Sequence, residues 1–303
     1  MITSKIERAH KPALVVIGQW RDYLEITKPK VVLLLVFTAL VGMVLAVPGW
    51  LPLKETLCGL LGIGLASGSA ATFNHVLDQR VDGIMKRTRN RPIPRGLLST
   101  RQCLVFGLSL GVAAMLLLTL FVNVLTSILT LFSLIGYAVI YTVYLKRATP
   151  QNIVIGGAAG AMPPVLGWAA VTGEVTAEAL LLFLIIFLWT PPHFWALAIH
   201  RRADYAKVNI PMLPVTHGVA YTRLQILLYT ILLLVISIFP YLIRMSGMVY
   251  LAGALGLGIM FLYQVIMLYV PARANQAMRT FAFSITYLMW LFGFMLVDHY
   301  LPW

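Results

Sequence analysis

Apolar residues in this chain come in long unbroken runs, without the short alternations of a soluble fold. Runs of spanning length cover residues 31–48, 57–77, 102–121, 124–145, 152–171, 178–199, 224–243, 247–269 and 281–298. Each is long enough as an α-helix to cross most or all of a hydrocarbon core. The pattern predicts an all-α integral membrane protein with nine transmembrane helices. Residues 1–30 form a basic N-terminal arm, and 31–303 form a single transmembrane domain. Composition agrees: the 303 residues are 60% hydrophobic and only 11% charged, with a mean hydropathy of +0.88. A soluble core of this size needs far more polar surface.

Charge orients the nine helices. With the arm in the cytosol, 21 of the 23 Lys and Arg residues fall on the cytosolic side, and only Lys54 and Arg244 lie across the membrane. The expectation is therefore N-in and C-out. The net charge of +13 is then a topological bias, and no nucleic-acid partner is expected. Trp20 and Tyr23 suit the membrane interface, and the apolar run from Ala13 to Gly18 is too short for a signal peptide. Cys58 and Cys103 stand alone, with no CxxC or zinc-type spacing, so free thiols and no structural metal are expected.

Residues 74–96, NHVLDQRVDGIMKRTRNRPIPRG, concentrate the polar chemistry. Asn74, Asp78 and Asp82 recur every four residues, so on a helix each step turns by about 40° and the three share one sector. The preceding run from Leu57 to Phe73 is almost wholly apolar, which puts the acids where a membrane helix nears water. Carboxylates there are costly without a partner. Two carboxylates and an amide suit Mg²⁺, which is held by one or two acids plus substrate phosphates. Arg80, Lys86, Arg87, Arg89, Arg91 and Arg95 follow at once, and guanidinium forks match phosphate oxygens. A metal-bridged diphosphate is one reading. The other is that the acids pair with the arginines and the basic loop only fixes topology.

NxxxDxxxD followed by RTxxRPxPxG resembles the first signature of the UbiA superfamily of intramembrane prenyltransferases. The resemblance implies that Asn74, Asp78 and Asp82 bind Mg²⁺ and carry the catalysis. It further implies that Arg80, Lys86, Arg87, Arg91, Arg95 and Lys146 hold the prenyl diphosphate. A second polar stretch, WTPPHFWALAIHRRADY, closes the sixth apolar run. If it stays helical, Trp189, His193, His200 and Asp204 share a face, and Asp204 can face Asp78 and Asp82 across a cavity and complete a second metal position. Pro191 and Pro192 free backbone carbonyls, so a bend lining a cavity is expected there. For His193 the plain alternative is a hydrogen bond to a neighbouring carbonyl. The second and sixth runs both end in loops with arginines, aspartate and spaced prolines, a weak internal echo.

TPPHFWALA followed by DYxxxxIPMLPV narrows the resemblance to the protohaem IX farnesyltransferases, a branch of the superfamily, and Thr27-Lys28-Pro29 before the first run belongs to the same match. That branch implies farnesyl diphosphate and haem B as substrates, with Trp189, His193, Arg201 and Arg202 toward the haem. It also implies a bacterial inner membrane, a cytoplasm-facing site, and a hand-off of haem O to haem A synthase or a terminal oxidase. Where the superfamily's second motif often has two acids four apart, this chain has Val208 four after Asp204, which leaves Lys207 or Asn209 to touch phosphate. Two further stripes stand open. Tyr137, Tyr141 and Tyr144 lie at i, i+4 and i+7, either around an allylic cation or as packing. Gly156 and Gly160 form a GxxxG that permits close helix approach, ahead of a kink at Pro163 and Pro164. The rival readings are a UbiA-type enzyme with a hydroxybenzoate, naphthoate or chlorin acceptor, and a transporter. Transporters place their sites near the midplane, whereas these acids sit at helix ends.

Overall fold

The computed structural model describes residues 19–270 and 275–301. No strand occurs among them, and 81% of them are helical. Residues 1–18 of the arm and Arg273, one of the bases used to orient the helices, lie outside the described residues.

Helix α1 (Trp20–Ile26) meets α2 (Pro29–Leu45) at 55°. Lys28 forms the elbow in a left-handed conformation, φ 55°. Pro29 then takes the first helical position, which its fixed φ and missing N–H suit. The first span therefore ends three residues before the apolar run does. Pro48 follows, and the residue before a proline is pushed out of helical space. Helix α3 (Leu53–Ile84) has 32 residues, a length of about 48 Å against a hydrocarbon core of about 30 Å. Its excess carries the acids beyond the apolar part of the span.

Then follow α4 (Thr100–Phe121), α5 (Val124–Ala148), α6 (Asn152–Thr172) and α7 (Ala177–His200). The short α8 (Arg202–Lys207) and α9 (Leu213–Thr216) form a connecting loop. Three further spans close the fold: α10 (Gly218–Leu242), α11 (Met248–Tyr269) and α12 (Gln276–His299). Eight of these helices are long and apolar enough to cross a membrane, and the bent α1–α2 pair makes nine. Helix α6 is interrupted at Met162, before Pro163 and Pro164, and α10 at Ser237 and Ile238, before Pro240. In contrast, α7 runs unbroken through Pro191 and Pro192. Large apolar side chains such as Leu108, Leu120, Phe132 and Ile259 are more than 60% exposed, a ring of lipid-facing surface.

The closest backbone approach joins α2 to the second half of α6. A Cβ on Gly42 would lie 2.2 Å from the Pro164 carbonyl oxygen, and one on Gly167 would lie 2.0 Å from that of Ala39. The expected GxxxG does something else. Gly156 admits the ring of Tyr141, which a Cβ would meet at 2.1 Å, and Gly160 has nothing within 4 Å. At the far end, the buried Asp298 of α12 accepts the backbone N–H groups of Gly247 and, at 3.0 Å, Tyr250, sealing the amino end of α11. The Tyr250 hydroxyl donates to the Ser237 carbonyl at 2.6 Å, and Ser237 and Tyr287 share a 3.0 Å hydroxyl contact.

Candidate active site

Asn74, Asp78 and Asp82 lie on one face of α3 and are buried. Each is engaged by a base from a different part of the chain. Lys28 Nζ donates to Asn74 Oδ1 at 2.7 Å, Lys146 Nζ to Asp78 Oδ2 at 2.5 Å, and Arg91 Nη1 to Asp82 Oδ2 at 2.5 Å. Asn74 Nδ2 bridges to Asp78 Oδ2 at 2.9 Å. The result is a ladder of three rungs over about 12 Å of helix. The lysines come from positions 46 and 68 residues away in sequence. Arg91 is delivered by the loop after α3, where the Thr88 hydroxyl donates to the Asp82 carbonyl at 3.1 Å. The acids are therefore paired, as the plainer reading of the sequence expects. However, only one of the three partners belongs to the basic loop. Arg80, Lys86, Arg87, Arg89 and Arg95 are exposed.

The Lys146 rung depends on a local departure from α geometry. Residues Gly136–Leu145 of α5 form a π-helix, a form that recurs at functional sites. Within it the Thr142 hydroxyl donates to the Tyr137 carbonyl at 2.8 Å and accepts from Asn74 Nδ2 at 3.3 Å. The wider turn also dismantles the tyrosine stripe, since seven residues no longer close two turns. Tyr137 and Tyr141 stack at 5.5 Å, while Tyr144 is 69% exposed.

Asp204 is placed differently from the expectation. Helix α7 ends at His200, Arg201 leaves helical geometry (ψ 19°), and Asp204 sits on the separate helix α8. The face shared with Trp189 and His193 therefore stops short of it. Asp204 lies 3.7 Å from Arg201, and Arg202 and Lys207 are exposed. Among the described residues, no three His, Cys, Asp or Glu side chains gather as a metal-ligand set, so Asp204 does not join Asp78 and Asp82 in one cluster. Beside Asp204, Tyr205 is buried. Burial raises the pKa of this hydroxyl, the charges of Arg87, Arg201 and Arg91 lower it, and Asp204 raises it.

The polar oxygens of the ladder fit Mg²⁺. Asp78 Oδ1 is buried without a hydrogen-bond partner, an orphan acceptor inside a cationic cluster. Asn74 Oδ1 and Asp82 supply further oxygen donors if their bases turn to phosphate. The wall on α7 is aromatic. The His193 ring stacks on Trp189 at 4.3 Å and Phe281 at 4.5 Å, and its Nδ1 lies 2.7 Å from the Ser284 hydroxyl. Trp189 Nε1 donates to the Ser284 carbonyl at 2.7 Å. His193 is therefore tied to α12 through a side chain, where the sequence suggested a backbone carbonyl. His75, Thr142 and Ser284 were not singled out from the sequence. Lys28 and Tyr205 stood in the sequence only as members of the Thr-Lys-Pro turn and the DYxxxxIPMLPV motif, without a role assigned to either.

The UbiA prenyltransferase family model matches residues 35–292. A protoheme IX farnesyltransferase from Thioalkalivibrio sulfidiphilus is 61% identical over 93% of this chain and 94% of its own. One from Nitrosococcus oceani is 58% identical over 93% and 95%. Among solved structures, a digeranylgeranylglyceryl phosphate synthase superposes with a TM-score of 0.76 at 18% identity, covering 92% of this chain and 98% of its own. A UbiA homologue from Archaeoglobus fulgidus bound to GPP and Mg²⁺ superposes with a TM-score of 0.64 at 14% identity, covering 91% and 99%.

Proposed function

The chain belongs to the UbiA prenyltransferase family, and from that premise we propose that it transfers the farnesyl group of farnesyl diphosphate to a vinyl group of haem B. Water adds in the same reaction, giving haem O and diphosphate. The observation that carries the acceptor is the 61% identity, over nearly the whole chain, to a protoheme IX farnesyltransferase. The polar ladder on α3 supports the donor.

Asn74, Asp78 and Asp82 would hold Mg²⁺, which supplies charge neutralisation to the departing diphosphate. Lys28 trades the Asn74 amide, and Lys146 and Arg91 their acid partners, for phosphate oxygens, and the exposed Arg87 and Arg95 lie on the adjoining loop to meet the incoming donor. This fixed positive field lowers the barrier to breaking the allylic C1–O bond. Tyr137 and Tyr141 present stacked aromatic faces beside the ladder and stabilise the allylic cation. The porphyrin vinyl carbon attacks C1, and water captures the resulting cation. Trp189, His193 and Phe281 form an aromatic wall for the macrocycle, with Arg201 and Arg202 near its propionates. Asp204 and Lys207 act on the diphosphate from the opposite loop. The acids face the cytoplasm of a bacterial inner membrane, N-in and C-out, and haem O passes to haem A synthase or a terminal oxidase.

The test is mass spectrometry of haem recovered from purified protein in lipid nanodiscs with Mg²⁺, farnesyl diphosphate and haem B. The expected product is hydroxyethylfarnesyl haem. Untouched haem B together with a prenylated hydroxybenzoate would overturn the acceptor and leave only the family.

A further inference from the structure

His75 stands on the acid face of α3, yet nothing holds it. At about 100° per residue it lies roughly 20° from Asp82 around the helix, and it is about 4.5 Å from Asp78 along the axis, on the side of the apolar run. It is 3% exposed, and both of its ring nitrogens are buried without a hydrogen-bond partner. On the same helix face, Asn74 beside it is held by Lys28 and Asp82 two turns on is held by Arg91. A buried imidazole with both nitrogens unsatisfied is expensive, and such groups are normally explained by a partner absent from the coordinates. Cations thus hold the rungs on this face, so an oxyanion is the fitting partner.

The ladder also has a direction. Asn74 with Lys28 is its deep rung, Asp78 with Lys146 the middle one, and Asp82 with Arg91 the one nearest the loop. A prenyl diphosphate bound along it puts its chain beside the apolar part of α3. Its α-phosphate then lies deep and its β-phosphate toward the loop arginines. Lys28 adds a second sign of a built site: it is a non-glycine residue held at φ 55°, a strain that surrounding structure must maintain.

Resting on the donor assignment above, we propose that His75 and Lys28 form the deep end of the donor site and grip the α-phosphate beside the bond that breaks. A neutral imidazole N–H donates to a non-bridging oxygen, and the Lys28 ammonium moves from Asn74 to the same phosphate. When the C1–O bond breaks, its electron pair stays on the former ester oxygen, which becomes a terminal oxygen of the α-phosphate in the released diphosphate. His75 and Lys28 keep their protons throughout.

The test measures binding of farnesyl thiolodiphosphate, a slow-ionising donor analogue, to the full-length protein in nanodiscs with Mg²⁺. His75→Phe keeps the ring shape without the N–H and should weaken binding by about 10- to 100-fold, the worth of a hydrogen bond to a charged group. Lys28→Met should weaken it similarly, the double variant by less than the product because both grip one phosphate, and His75→Asn should recover part of the loss. Folded His75→Phe with wild-type affinity overturns the proposal. Should His75→Phe fail to fold, nitrogen-15 imidazole signals of the wild type, assigned with His75→Asn, give the answer. A shift of the His75 signal on adding the analogue supports the contact, and an unmoved signal overturns it. Wild-type protein that does not bind the analogue at all refutes the donor assignment itself.

Discussion

The two readings of the acids, metal ligand and ion-pair partner, separate in a double-mutant cycle on Asp78 and Lys146. Their side chains are only 4% and 14% exposed and meet at 2.5 Å. Asp78→Asn preserves shape but leaves the Lys146 ammonium buried without its counter-charge, which costs about 3–5 kcal/mol in a mostly desolvated setting. Lys146→Met with Asp78→Asn removes both charges together and should regain most of that stability, because an apolar replacement of a buried pair is often neutral. Turnover should behave otherwise. If Asp78 only neutralised Lys146, adding Asp78→Asn to the Lys146→Met protein would change nothing further. If the orphaned Oδ1 of Asp78 serves the donor site, that step costs about 100-fold or more. Stability is read by denaturation in detergent and turnover by Mg²⁺-dependent diphosphate release. Equal turnover in the Lys146→Met and double variants would refute the ligand role.

Three further outcomes are expected. Gly167→Ala should destabilise by roughly 1–3 kcal/mol because its methyl meets the Ala39 backbone, whereas Gly160→Ala should stay within about 0.5 kcal/mol; equal melting temperatures would contradict the α2–α6 contact. His193→Ala should lose haem farnesylation while still binding the farnesyl analogue, and calorimetry showing loss of both would move His193 out of the acceptor wall. A reporter fused after residue 303 should be active only across the membrane from the cytosol, and cytosolic activity would overturn the N-in, C-out assignment.

The spans and the acid ladder were legible in the sequence because hydropathy and a spacing of four residues are properties of local stretches. Asn74, Asp78 and Asp82 share a face for reasons internal to one helix. Their partners are another matter. Lys28 and Lys146 reach them across 46 and 68 residues, and no local pattern encodes which lysine meets which rung. The π-helix was equally hidden, since Gly136–Leu145 reads as an ordinary apolar segment. Its wider turn is supported by tertiary contacts such as Asn74 with Thr142, and it turned a three-tyrosine stripe into a pair. Counting on from His193 to Asp204 failed because one residue, Arg201, breaks the helix. The small-residue rule was right in kind and wrong in place. Gly42 and Gly167 carry the close contact with no GxxxG spacing, because it joins two helices from distant parts of the chain.

The Asp298 seal on α11 sets a clock for biogenesis. The carboxylate lies 51 residues downstream of the Gly247 amide it binds, which a ribosome making about 5–20 residues per second adds in roughly 3–10 s. Through that interval the amino end of α11 is inside or at the edge of the membrane with its amides unsealed. Water, lipid headgroups or the insertion machinery must hold them meanwhile. An Asp298→Ala chain never closes this interval, so its defect should surface as a longer-lived assembly intermediate open to membrane proteases. Pulse-labelling during synthesis would see it before any equilibrium measurement on the finished protein did.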